Sequence, residues 1–245
     1  MPPAALRPRS IPELLDATFA LLRQHYVDFV AIAAVLWVPV ILVKSLPGVS
    51  WQILGAILSA GASAAVTGAV ILLVSQTYLG EEPTIAEVLR GAFGRLWSLV
   101  LAGIYQGLLV LVGFILLVIP AFIFFAWAFA MPMVIVLEGR GVSAAFTRSR
   151  ELARGNILRI LLTLGAAYVL VLVVSLAFGA VAGALILATG VGHARVLVAV
   201  LTGLGYIVAS PIYSGIGTML YYDLRMRKEG FDLEMMAGEL GAVVA

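Results

Sequence analysis

Five stretches of the chain carry no Lys, Arg, Asp or Glu: residues 29–43, 45–80, 96–137, 160–194 and 196–222. A helix that crosses the hydrocarbon core of a bilayer needs about 20 apolar residues. The first stretch supplies one span, near Val27–Leu46, with Lys44 able to snorkel at its end. The second supplies Trp51–Tyr78, after the turn at Pro47 and Gly48. The third is long enough for two spans, and Pro120 near its middle predicts a tight hairpin. The fourth and fifth supply Ile157–Leu187 and Val196–Tyr222, which brings the spans to six. Pro39, Pro132 and Pro211 fall inside spans and are candidate kinks, because each removes an intrahelical hydrogen bond.

A different periodicity precedes the first and third spans. Ile11, Glu13, Leu15, Phe19 and Leu22 recur as Ile85, Glu87, Leu89, Phe93 and Leu96, at a constant shift of 74. Both copies open on a capping box, Ser10 with Glu13 and Thr84 with Glu87. Their apolar positions share one helical face, which predicts two short amphipathic helices in the headgroup layer. Ser143–Asn156 is a looser third copy, with Ser143 expected as its cap. Ala145, Phe146, Leu152, Ala153 and Ile157 are expected on its apolar face, with Arg150, Glu151 and Arg154 turned away. The expected architecture is all-α: one membrane domain of six transmembrane helices. It is built as three repeats of an interfacial helix plus a hairpin, near 10–79, 84–138 and 143–222, with a tail over 223–245. All three units enter from the same side, so the repeat is parallel rather than inverted.

Composition turns this pattern into a statement about solvent. The chain is 63% hydrophobic and 11% charged, with a mean hydropathy of +1.13. Soluble domains carry about 25% charged residues, so this chain lacks the polar surface to cover a water-soluble globule. Charge then sets direction. Six spans put 13 of the 15 basic residues on one side and leave Lys44 and Arg195 on the other. The positive-inside rule makes the rich side cytoplasmic, with both termini there. Glu13, Asp16 and Arg23 interrupt the early residues, so the first span is expected to act as an uncleaved signal-anchor in the bacterial inner membrane.

The basic residues lie in clusters, not in a single stripe, so nucleic acid is not an expected partner. Arg140, Arg148, Arg150, Arg154 and Arg159 form one cluster, and Arg225, Arg227 and Lys228 another. Guanidinium groups bind phosphate oxygens in a fork, and both clusters are expected to contact anionic phospholipid or another phosphate-bearing ligand. An ordinary topological role is the competing reading. Glu138, at the end of the fourth span, is expected to pair with an arginine of the following helix. Gln106 and Tyr206 are the candidate intramembrane polar contacts, since a buried amide or phenol in hydrocarbon needs a partner. Tyr78, Trp97, Tyr221 and Tyr222 suit an interfacial aromatic belt. Rows of small residues should let helices approach closely, as at Ala56, Ala60, Ala64 and Gly68; Gly103 and Gly107; Ser175, Gly179 and Gly183.

With no cysteine and two histidines, neither a metal nor a cofactor is expected. No ionisable residue lies near a span centre, which disfavours a proton-coupled pump. No nucleotide-binding, protease or hydrolase motif is present, so the chain is not expected to be an enzyme.

Three segments together, RPRSIPELLDATFALLRQHY, VLEGRGVSAAFTRSRELARGN and YYDLRMRKEGFDLE, resemble a bacterial six-span family. That family is labelled glycerophosphoryl diester phosphodiesterase membrane domain. The resemblance covers nearly the whole chain and implies its topology. In that family the membrane region can be fused to a phosphodiesterase barrel. The residues after Lys228 are far fewer than the roughly 200 such a barrel needs, so its activity is not expected here. The leading expectation is a non-catalytic scaffold, accessory or lipid-interacting component, with a protein partner at the cytoplasmic face as an open possibility. The alternatives are a small permease with a path near Gln106 and Tyr206, or the membrane partner of a separate lipid-related enzyme.

Overall fold

The computed structural model describes residues 9–190, 192 and 194–229. Arg7, His193 and the tail from residue 230 lie outside the described residues. In chain order the helices are α1 (Ile11–Gln24), α2 (Tyr26–Ser45), α3 (Val49–Tyr78), α4 (Ile85–Gly94) and α5 (Leu96–Leu116). They continue with α6 (Val118–Ala128), α7 (Met131–Leu137), α8 (Val142–Ala153), α9 (Ile157–Thr189) and α10 (Ala194–Glu229). No strand occurs among the described residues. Six segments are long and apolar enough to cross a membrane: α2, α3, α5, the α6–α7 pair, α9 and α10. The protein is an all-α, multi-pass membrane bundle.

The bundle is organised around the second half of α10. Every residue from Ser214 to Leu224 is buried, and a helix buried on all sides is a core element rather than a lipid-facing one. The helix as a whole packs against α9, α2, α3, α1 and α8. Close approach depends on glycine. A Cβ on Gly203 would stand 2.2 Å from Ile41 of α2, and one on Gly217 would stand 2.8 Å from Met133 of α7. Gly68 of α3 closes likewise on Leu99 and Ala92. Gly103, Gly107, Gly179 and Gly183 have open space instead, so those rows do not serve packing within the chain.

Both expected capping boxes form, at Ser10–Glu13 and Thr84–Glu87. The Thr84 hydrogen bonds hold the Glu87 carboxyl below its ordinary pKa. In α1 the buried face is Leu14, Thr18, Leu21 and Leu22, and Gly215 of α10 rests on Thr18 and Leu22. Phe19 and Phe93, equivalent positions of the two copies, stay exposed. Their apolar stripe is wider than the contact with the bundle, which leaves an outward edge suited to the headgroup layer. The third copy differs from expectation. Gly141 is the N-cap of α8 and forms no side-chain cap. Ser143 lies inside the first turn, where its carbonyl accepts from Thr147.

Two breaks fall just ahead of the prolines that signal them. The third and fourth spans turn at Leu117, and Pro120 follows as the third residue of α6. Its missing N–H is there among donors that have no intrahelical acceptor anyway. The fourth span is interrupted at Phe129 and Ala130, just before Pro132. Ser149 of α8 repairs the break by accepting the Ala130 N–H at 3.0 Å. The last helix runs on past Tyr222 to Glu229, because the charges in its final turns find partners. Tyr221 and Tyr222 face inward and are buried, whereas Trp97 is exposed as an aromatic belt requires.

The α5–α6 hairpin gives a direct packing test. A Cβ on Gly113 would stand 2.5 Å from the Ala121 Cα, where only backbone movement relieves the clash. Gly113→Ala is expected to lower stability by about 1–3 kcal/mol, read as an earlier thermal unfolding transition in detergent. Gly107→Ala, which meets nothing, should leave the transition unchanged or raise it.

Candidate functional site

The charged residues that close the spans converge at one end of α10. Asp223 is 1% exposed. Its Oδ2 accepts from Arg159 Nη2 at 2.8 Å and from Arg227 Nε at 2.9 Å. Its Oδ1 accepts the Arg9 backbone N–H at 2.8 Å. Both arginines also donate to the Arg9 carbonyl. One carboxylate therefore ties the start of α9, the end of α10 and the chain entering α1.

A second centre forms beside it. Glu138, 13% exposed, meets Arg140 Nε at 2.8 Å and Arg148 Nε at 3.1 Å. The Tyr221 hydroxyl donates to the same carboxylate at 2.8 Å. Arg148 also reaches Glu229, which Arg225 holds at 3.1 Å. The hydrogen bond with Glu229, supported by Glu138, raises the Arg148 pKa against the opposing effect of burial, so this guanidinium stays charged. Arg95 closes the end of α7 by donating to the carbonyls of Ile135 and Val136. A cation at a helix C-terminus also complements the helix dipole.

The expected basic clusters are thus brought together, largely on carboxylates. Arg140, Arg148, Arg159, Arg225 and Arg227 each meet one. Lys228 donates to the Glu151 carbonyl. Arg150 does not point away as expected: its guanidinium lies 4.5 Å from the Trp127 ring centre, a cation–π contact. Arg154 is exposed and meets no carboxylate among the described residues. The Glu138 pair with an arginine of the next helix is present. Asp223 is not among the residues singled out from sequence, although its i, i+4 spacing to Arg227 is a readable pairing signal.

The middle of the bundle holds a cavity of about 640 Å³. Trp37 of α2, Ser63 and Thr67 of α3, Phe114 of α5, Phe122 and Phe125 of α6, Leu164 and Tyr168 of α9, and Tyr206, Ser210 and Tyr213 of α10 are among its walls. Phe114, Phe122, Tyr168 and Tyr206 are exposed at its rim, so it opens sideways, between the α5–α6 hairpin and the α9–α10 pair. No Asp, Glu, Lys, Arg or His lines it among the described residues. Tyr206 stacks on Trp37 with ring centres 4.6 Å apart and planes 5° apart. Trp37 is 3% exposed, and its indole N–H has no hydrogen-bond partner among the described residues. The buried Ser210 hydroxyl has none either.

Gln106 and Tyr206 do not share this space. Gln106 borders an adjoining cavity of about 450 Å³ between α3, α5, α7 and α10, which shares Ser63, Thr67, Leu164, Tyr213 and Ser214 with the first. The cavity walls Trp37, Ser63 and Thr67 carry no local motif, since a serine or tryptophan in a span reads the same whether it packs or lines a space.

No family model, curated protein or solved structure matches this chain. The six-span resemblance therefore rests on the three quoted segments.

Removing one partner of a buried ion pair leaves the others uncompensated and costs about 3–5 kcal/mol. Asp223→Asn should show a loss of that order in thermal or denaturant unfolding in detergent. Glu138→Gln, at a more exposed carboxyl, should cost less.

Proposed function

We propose that this chain is a non-catalytic, lipid-interacting component of the bacterial inner membrane. Its basic end faces the cytoplasm and carries both termini. Short helix plus two spans occurs three times in the element order, and we read this as one unit used three times. What supports lipid interaction is the sideways-opening cavity. Its rim is aromatic and apolar, its volume is that of a site for a single acyl chain or a comparable apolar group, and it is reached from the bilayer interior.

A scaffold with a solid core would leave no such space. A permease would need a polar path, and the walls of this cavity are dominated by Phe, Leu, Val and Tyr. The paired arginines act as ties between helices, while exposed Arg154 and Lys228 remain for contact with anionic headgroups. The glycerophosphodiester family resemblance is consistent with this reading through its topology.

Trp37 is the natural reporter. In a variant whose other tryptophans (Trp51, Trp97 and Trp127) are replaced by Phe, phosphatidylcholine with brominated acyl chains should quench Trp37 fluorescence in vesicles. Aqueous iodide should not. Quenching by iodide and none by the brominated chain would support a water-filled path and remove the lipid reading.

A further inference from the structure

The end of the bundle opposite the arginine clusters has an unusual charge balance. Between residues 29 and 80, and between 160 and 222, the chain contains no Asp or Glu. Among the described residues, Lys44, at the end of α2, and Arg195, at the start of α10, therefore have no acidic residue at that end. Both border the same cavity, of about 470 Å³, together with Gln52, Thr202, Trp37 and Tyr206. Uncompensated cations that share a cavity are a site for an anion.

The cavity is not isolated. Trp37 and Tyr206, stacked face to face, are walls of both this space and the larger apolar one. Lys44 and Trp37 are seven residues apart on α2, and Arg195 and Tyr206 eleven apart on α10. Both separations are close to whole numbers of helical turns, so each pair lies on one face. The two faces run from the cationic mouth to mid-membrane, where the buried Trp37 N–H and Ser210 hydroxyl lack partners. Elsewhere Gln52 is committed: its amide donates to the Lys44 carbonyl at 3.1 Å and fixes the end of α2. The Lys44 stem lies against Gly55, where a Cβ would stand 2.6 Å from its Cγ. Lys44 is thus held at the mouth by packing.

We infer that this pair of joined cavities binds a lipid with an anionic head. Its phosphate or carboxylate lies between Lys44 and Arg195. Its chain passes the Trp37–Tyr206 stack into the apolar cavity. The inference rests on the lipid reading of that cavity and adds the class of ligand and the leaflet from which it comes, the one away from the arginine clusters.

The test compares headgroups with the chain chemistry held fixed. The Trp37-only variant is reconstituted in phosphatidylcholine vesicles containing equal fractions of brominated phosphatidylglycerol or brominated phosphatidylcholine. A single basic residue near the surface favours an anionic lipid about fivefold, so phosphatidylglycerol should be at least that much more effective as a quencher. Lys44→Gln with Arg195→Gln should bring the two lipids to parity, and Arg195→Gln alone, at an exposed position, should give an intermediate ratio. Millimolar inorganic phosphate should leave the preference in place; its loss would assign the site to a free ion and overturn the lipid. Equal quenching by both lipids in the parent, or a preference that survives the double substitution, would overturn the headgroup assignment and leave the cavity reading standing. Absence of quenching by either lipid would defeat the cavity reading as well.

Discussion

A carboxylate that is almost wholly withdrawn from water must be matched by its surroundings, and Asp223 is matched from three directions. Arg159 holds it from α9, Arg227 from one turn further along α10, and the Arg9 N–H from the segment entering α1. The arginines are satisfied in turn by the Arg9 carbonyl. Such a cluster contributes little net energy compared with a well-packed apolar substitute. Its effect is directional. An apolar helix in lipid has no charge to fix its rotation or depth, and neighbouring helices can slide with small changes in contact. Asp223 makes one depth and one rotation of α10 better than the rest. Because α10 touches α1, α2, α3, α8 and α9, the setting passes through the bundle.

Glu138 repeats this logic on the other side of the same helix end. Tyr221 of α10 joins it from within the bundle, and Arg148 of α8 from the surface. The short helix α8 is thereby part of the clamp rather than a loose attachment in the headgroup layer. The opposite end is built differently. Among the described residues it has Lys44 and Arg195 and no acid, and stretches of α9 and α10 where Leu176, Leu187 and Val196 are exposed. One end is held by ion pairs and the other is left open to lipid. The cavity lies between them, where packing against the clamp gives way to helices that face the bilayer.

The spans were legible because charge is so costly inside a bilayer that its absence over 15 or more residues has few other causes. Expected and observed ends of α2, α3 and α9 agree within a few residues, and both capping boxes form. The discrepancies have a common origin. Sequence shows where charges occur, and not which of them will be neutralised. Tyr222 was expected to end the last span, yet α10 continues through Asp223, Arg225 and Arg227, since each is paired. Tyr221 and Tyr222 suit the membrane interface by position, yet they turn inward, where Glu138 and Ser75 satisfy their hydroxyls. Helical periodicity puts Arg150 on the polar face, yet it covers Trp127. The break before Pro132 was visible, but its repair by Ser149 was not, since that contact links residues 19 apart across two helices. The cavity was the least legible feature. A void arises where side chains from all six spans fail to meet, and no local pattern records it.

Retention of lipid by the purified full chain tests the account most directly. Gly165 lies on the cavity wall with open space in front of it, so Gly165→Phe would fill the cavity without disturbing either charged end. Native mass spectrometry in mild detergent should find the parent protein carrying a lipid that survives delipidation. The Gly165→Phe variant should be equally stable but lipid-free. A parent protein that emerges bare, or a filled variant that keeps the same lipid, would contradict the claim that this bundle is built around a lipid site.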